Sequence, residues 1–159
     1  MPFWPGVGVG GHCIPVDPMY LSWLARSRGI ESTLIDAAQE INDKAPMRIL
    51  KIIESFGLNE HSLLLQVGLS YKAGVSDLRE SPSLELFQLL KNKFKQVEWW
   101  DSSLQQWGNS NRSNLQGDYD LVVLTHRCES LELESTIKQS RKVLDITGQF
   151  RGLSNVISI

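Results

Sequence analysis

The stretch Ser62-Leu63-Leu64-Leu65-Gln66-Val67-Gly68-Leu69-Ser70-Tyr71-Lys72-Ala73-Gly74-Val75-Ser76-Asp77-Leu78-Arg79-Glu80-Ser81-Pro82 decides the fold. Leu63, Leu64, Leu65 and Val67 form an apolar run of the kind found in a strand covered on both faces of a parallel sheet. Gly68 ends the run and a polar loop follows. Ser81 and Pro82 then supply an N-cap and a first-turn proline for a helix with Leu84, Phe87, Leu90 and Phe94 on one face. Similar short runs recur at 97–100, 121–124, 143–146 and 156–159, with a further helical pattern over 130–139. Strand and helix alternate, which predicts an α/β domain from about residue 62 to the end: a doubly wound, mostly parallel, Rossmann-like sheet. The polar residues 109–117 read as a surface loop, and no internal repeat is present.

Upstream, the pattern is helical. Tyr20, Leu21, Leu24 and Ala25 predict a short helix over 18–28, packed under the preceding glycines, with Gly29 at its C-terminus. From the N-cap candidate Ser32, a stripe of Leu34, Ala38, Ile41, Ala45, Ile49, Ile52 and Phe56 predicts a long amphipathic helix ending at Gly57. Pro46 should break it near Asn42-Asp43, because proline lacks the amide proton and its ring clashes with the preceding turn. The chain thus divides into a helical arm at 1–61 and an α/β domain at 62–159.

With 159 residues, 42% of them hydrophobic, the chain is long enough to bury a core. A formal charge of -2 from 16 basic and 18 acidic side chains, well mixed along the sequence, leaves no footprint for nucleic acid or an anionic membrane. No apolar run approaches a transmembrane length and no signal-peptide pattern opens the chain, so a cytoplasmic location is expected. Cys13 and Cys128 are too few and too far apart for a disulfide framework. Without a CxxC or a second Cys/His cluster, no metal site is expected.

Chemistry concentrates in Pro5-Gly6-Val7-Gly8-Val9-Gly10-Gly11-His12-Cys13-Ile14-Pro15-Val16-Asp17-Pro18. Four glycines in six positions let another molecule approach the backbone, and a thiol and a carboxylate follow. From the residues alone, Cys13 reads either as a nucleophile or as a small buried residue in a tight turn. His12 suits packing or positioning. Gly6, Gly8 and Gly11 imitate a G-x-G-x-x-G dinucleotide fingerprint, but that motif must follow a strand and open a helix. In the loop after residue 67, Lys72 and Arg79 reach the N-terminus of the Pro82 helix, whose amides and dipole favour an anion. The alternative is a solvated loop with Arg79 paired to Asp77 or Glu80.

Two of these stretches, PGVGVGGHCIPVDP and GLSYKAGVSDLRESPSLEL, resemble segments of the UDP-glucose/GDP-mannose dehydrogenase family. The first is similar to the family's active-site signature in the form associated with UDP-N-acetylhexosamine 6-dehydrogenases. The second is similar to its GxxYKxxxxDxRESPxLxL segment. Residues 41–46 resemble the helix that links the catalytic segment to the C-terminal domain and contributes to a homodimer. The resemblance implies an NAD-dependent oxidation of a UDP-N-acetylhexosamine, or UDP-glucose, to the uronic acid, through a thiohemiacetal and then a thioester on cysteine. It assigns the nucleophile to Cys13, the positioning of water to Asp17, UDP-sugar binding to Gly8, Gly10, Gly11, Tyr71 and Lys72, and the cofactor side to Arg79. His12 and Val16 favour an acetylated hexosamine.

The resemblance covers nearly the whole chain but only the last part of the family. The NAD-binding domain and the segment with the family's catalytic Lys and Asn are expected to be absent, so this chain alone should be inactive. A non-catalytic remnant that binds UDP or only dimerises is the other class of function. Two stretches depart from the family pattern. Trp99-Trp100-Asp101-Ser102 stands where the family has a strand ending in Tyr-Asp-Pro, and no function is assigned to it; Thr147-Gly148 stands where Thr-Arg is usual. Cys128 reads as structural.

Overall fold

The apolar runs become the strands of one parallel sheet. The computed structural model describes residues 6–159; residues 1–5, including the Pro5 that opens the signature, lie outside the described residues. Strands β1 (Leu63–Val67), β2 (Gln96–Trp100), β5 (Leu121–Leu124), β6 (Val143–Asp145) and β7 (Val156–Ser158) stand in the order β2-β1-β5-β6-β7. Every neighbouring pair is parallel: Val67 lies beside Trp100 on one side and beside Leu124 on the other.

Helices cover both faces. Helix α4 (Pro82–Lys93) connects β1 to β2 and packs with α3 (Ala45–Glu54), burying Leu86, Leu90, Ile49, Leu50 and Ile53 against Leu64, Leu121, Val123 and Leu144. Helix α5 (Leu131–Gln139) buries Leu133 and Ile137 on the opposite face against Leu65, Val67, Val122 and Leu124. Each fully buried leucine contributes about 1.5–3 kcal/mol relative to an exposed one. The single polar residue inside β1, Gln66, is fully buried. Its amide donates to Gly68 O (2.9 Å) and Ser83 O (2.7 Å), which fastens the first turn of α4 to the end of the strand. Ser81 is the N-cap of α4, accepting from the Leu84 amide at 3.2 Å while its hydroxyl donates to Leu69 O at 2.7 Å.

The helical arm forms α1 (Asp17–Ser27), α2 (Thr33–Asp43) and α3, with the break at Lys44, two residues before Pro46. Helix α1 ends in a Schellman motif: Gly29 has φ +72°, and the amides of Gly29 and Ile30 donate to the carbonyls of Arg26 and Ala25. The expected packing of α1 through its apolar stripe is corrected. Tyr20 is 69% and Leu21 59% exposed, and the residue that α1 buries is Ser22. Its hydroxyl donates to Asp36 of α2 (2.7 Å), and Arg26 pairs with the same carboxylate (2.7 Å), so α1 docks by polar contacts. Ser32 stands at the α2 N-cap position, but its hydroxyl is turned to Ser22 and Asp36 and makes no capping bond. Only the α3 part of the long stripe reaches the core; Leu34 and Ile41 remain exposed.

The 109–117 stretch is also more ordered than its composition suggests. Strands β3 (Gln106–Trp107) and β4 (Ser110–Asn111) form an antiparallel hairpin, and Ser113 beyond it donates to Glu98 at 2.6 Å. The buried Tyr119 hydroxyl donates to the same carboxylate oxygen at 2.7 Å. Burial first, then the Glu98 charge and hydrogen bond, push the Tyr119 phenol up to about 12. A raised folded-state pKa favours the neutral phenol, so this contribution to stability is complete below the unfolded value near 10 and is lost as pH climbs through 10–12. Tyr119→Phe should cost about 1–3 kcal/mol in urea unfolding at pH 8, and the gap to wild type should narrow at pH 11.5. An equal gap at both values would show that the phenol ionises alike in the folded and unfolded chains.

Candidate functional site

In an open parallel sheet a ligand crevice forms at the carboxyl ends of the strands where the connections diverge. Here that point lies between β1, which leads out to β2, and β5, which leads the other way. Gly68 turns the chain there with φ +100°, its amide bonded to Trp100 O at 2.8 Å. A Cβ on Gly68 would come within 2.5 Å of Thr125 Oγ1 and 2.6 Å of His126 Cγ, so the loops after β1 and β5 touch. Asp101, buried at the end of β2, organises the turn: its Oδ2 accepts from Leu69 N (2.9 Å), Ser70 N (3.1 Å) and Ser70 Oγ (2.9 Å), and its Oδ1 from Ser103 N (2.9 Å). Sequence reasoning assigned Asp101 no role. An acid directly after a strand that pairs with β1 was the available signal.

A cavity of about 320 Å³ opens over these strand ends. The loop after β1 contributes Tyr71, Lys72 and Ala73; the first turn of α4, Ser83; the loop after β5, Thr125, His126 and Arg127; the loop after β6, Thr147; and the glycine-rich loop closes it with Gly6, Val7 and Gly8. Among the described residues, lysine, arginine and histidine line it and no carboxylate does. That set, beside a helix N-terminus, suits a phosphorylated ligand of nucleotide size. A second hollow of about 410 Å³, on the outer face of α1 between Val16, Met19, Tyr20 and Trp23, carries no charged group and lies away from the strand ends.

The glycine-rich loop is held down by the protein itself. Asn42 of α2 bonds both backbone groups of Val9, accepting from its amide at 2.7 Å and donating to its carbonyl at 3.0 Å. Gly11 N donates to Glu80 O at 3.3 Å. A Cβ on Gly10 would meet Glu80 O at 2.4 Å and Pro82 Cδ at 2.7 Å, and one on Gly11 would meet the Tyr71 ring at 3.0 Å. Of the three glycines named from the sequence, Gly8 lines the cavity, whereas Gly10 and Gly11 fit the loop against Tyr71, Glu80 and Pro82. Glu80 itself has φ +47°, a strained value for a residue with a Cβ, at the point where the two loops meet. The fingerprint-like run does not open a helix, since α1 begins only at Asp17.

Cys13 is exposed in the bend, and its carbonyl accepts from the amides of Val16 (3.0 Å) and Asp17 (2.8 Å). Asp17 opens α1, where a carboxylate complements the helix dipole. Arg79 makes the pairing that its loop allowed: it chelates Asp77, Nε to both oxygens at 3.0 Å and Nη2 to Oδ2 at 2.6 Å. These bonds lower the Asp77 carboxyl to about 2 and raise the Arg79 guanidinium, with smaller contributions to Arg79 from Tyr71 and Cys13. Lys72 lines the cavity, whereas Arg79, held by Asp77, is not one of the residues that line it. Cys128, half-buried, has its backbone bonded to Gln149, and burial pushes its thiol up. Among the described residues, no group of three or more His, Cys, Asp or Glu side chains is placed to hold a metal ion, and no helix is long and apolar enough to cross a membrane.

Residues 65–147 match the UDP binding domain, and residues 1–44 the central domain, of the UDP-glucose/GDP-mannose dehydrogenase family. The chain belongs to that family. Its curated relatives within the dehydrogenases include a UDP-N-acetyl-D-mannosamine dehydrogenase of Pyrococcus horikoshii, 31% identical over 91% of this chain and 36% of the relative. A GDP-mannose 6-dehydrogenase of Azotobacter vinelandii is 31% identical over 91% of this chain and 37% of the relative. The structure superposes on the UDP-D-ManNAc dehydrogenase of P. horikoshii with TM-score 0.76 at 27% identity, covering 97% of this chain and 38% of that one. The fold also matches a UDP-glucose dehydrogenase of Pyrobaculum islandicum at TM-score 0.78 and 21% identity, covering 96% and 38%. The chain thus spans a little over a third of the length of the dehydrogenases it matches.

The clamp on the glycine-rich loop is directly testable. Gly10→Ala should push the loop off Glu80 and Pro82, and Asn42→Ala should free Val9. In both variants the amides of residues 8–13 should exchange at least about tenfold faster while those of β1 and β5 keep their protection. Unchanged exchange at Val9 in Asn42→Ala would show that the side chain does not hold the loop.

Proposed function

We propose that this chain is the nucleotide-binding and cysteine-bearing part of an NAD-dependent nucleotide-sugar 6-dehydrogenase that converts a UDP-N-acetylhexosamine, or UDP-glucose, to its uronic acid. The observation that carries the reading is the carboxylate-free cavity at the strand ends, closed by the same glycine-rich loop that bears Cys13. Lys72 and Arg127 meet the diphosphate, with the first turn of α4 beside them, and Gly8 and Tyr71 border the route from the nucleotide toward the thiol.

The residues present do not fit the dinucleotide. The space over Gly10 and Gly11 that a pyrophosphate would need is filled by Pro82, Tyr71 and the Glu80 carbonyl. NAD, the hydride acceptor, is therefore assigned to other residues of the longer enzyme, with Arg79 its point of contact on this chain. The work of this chain is to bind the nucleotide, to hold the sugar carbon on Cys13 first as thiohemiacetal and then as thioester, and to place at Asp17 the water that releases the acid. Helix α1, the first helix of the arm, carries exposed apolar surface on which a homodimer would form.

Three results are expected. The purified chain alone should form no NADH from any UDP-sugar, yet bind UDP, with Lys72→Ala weakening the affinity at least about tenfold in calorimetry. In the enzyme joined to its NAD-binding part, Cys13→Ala should abolish uronic acid formation with UDP-sugar binding nearly intact. Asp17→Asn should slow hydrolysis, so that a sugar-acyl adduct accumulates on Cys13 in intact-protein mass spectrometry. Acid production by Cys13→Ala, or an adduct on Cys128, would contradict the assignment; UDP binding without turnover in the joined enzyme would make the protein a non-catalytic binder.

A further inference from the structure

His126 sits where the charge balance of the cavity is decided. Its ring lines the cavity beside Thr125 and Arg127, is held under the Gly68 turn, and keeps 11% of its side chain exposed. The charged and titratable groups facing it come from three elements. Asp101 at the end of β2 places Oδ2 4.0 Å from Nδ1, Tyr71 and Lys72 come from the loop after β1, and Arg127 and Cys128 lie on its own loop. The Asp101 carboxylate already accepts three hydrogen bonds at that oxygen from Leu69 and Ser70, so much of its charge is spent on fixing the turn. A small gap of about 10 Å³ lies beside both side chains, bordered also by Trp100 and Cys128.

We infer that His126 is a third basic group for the diphosphate, uncharged in the free protein and protonated when the anion fills the cavity, so that nucleotide-sugar binding takes up one proton. The inference rests on the reading of this cavity as the diphosphate site. In the free protein, burial disfavours the imidazolium and holds the His126 pKa below its ordinary value, against the opposing pull of Asp101 and the Ser70 backbone. A diphosphate entering the cavity opposes the effect of burial by supplying negative charge at the ring. The bound-state pKa then lies above the free one, and affinity is highest at low pH and falls as pH rises through the bound-state value.

The probe is UDP-glucose, because its diphosphate is esterified at both ends and has no ionisation near neutrality, so any pH dependence belongs to the protein. The His126 ring resonance, separated from His12 and His61 by its loss in His126→Gln, is titrated in the free and the saturated chain. Its midpoint should rise by about one unit on saturation, which corresponds to affinity about tenfold higher well below the free midpoint than well above the bound one. Calorimetry in buffers of different ionisation enthalpy should register proton uptake in wild type and none in His126→Gln, whereas Lys72→Ala should weaken binding at every pH and keep the slope. Coincident free and bound midpoints, with UDP-glucose bound, would overturn the role of His126 and leave the diphosphate site standing. No binding at any pH would overturn the site and the role of His126 together.

Discussion

A strand that is hydrogen-bonded on both edges and covered on both faces meets solvent only at its ends. Strand β1 is in that position, paired with β2 and β5 and packed between α3 and α4 on one side and α5 on the other. Its chain must leave the sheet at Gly68, and the backbone polar groups released there need partners. Asp101 provides them for Leu69 and Ser70, and Ser81 for the Leu69 carbonyl. The site is a consequence of that requirement. The same bonds that terminate β1 fix the loop carrying Tyr71 and Lys72, and leave a crevice whose wall is basic.

The glycine-rich loop depends on the same turn. It has no regular structure of its own and is defined by what it rests on: Tyr71, Glu80 and Pro82 from the β1–α4 connection, and Asn42 from the arm. The arm and the α/β domain therefore meet in the loop that carries Cys13. Substitutions at Gly10 or Gly11 act first on this packing, since the atoms within reach of a new Cβ belong to the protein.

Much of this was legible in the sequence. Leu63 to Val67 and Leu121 to Leu124 are buried strands because apolar side chains pointing to both sides need two covering layers, and Ser81-Pro82 begins a helix because the cap and the missing amide suit one. Pro46 broke the long amphipathic pattern where its ring cannot follow a helical turn. What escaped depends on contacts distant in sequence. Composition could not reveal that Ser113 and Tyr119 share Glu98 and so order a polar stretch, or that Ser22 rather than Tyr20 and Leu21 would be the buried side of α1. Asp101, His126 and Asn42 have no local motif. They acquire roles only when the strand order places β2 and β5 on either side of β1 and brings α2 over the loop. Arg79 illustrates the reverse case, a local pairing with Asp77 that the sequence offered and the structure contains.

The central claim is that the ends of β1 and β5 form the nucleotide diphosphate site under the cysteine loop. A crystal structure of the chain with UDP tests it most directly. The account predicts the diphosphate within hydrogen-bond distance of Lys72 Nζ, between the loops after β1 and β5. UDP seated elsewhere, such as in the apolar hollow of α1, with the cavity at the strand ends empty, would contradict it.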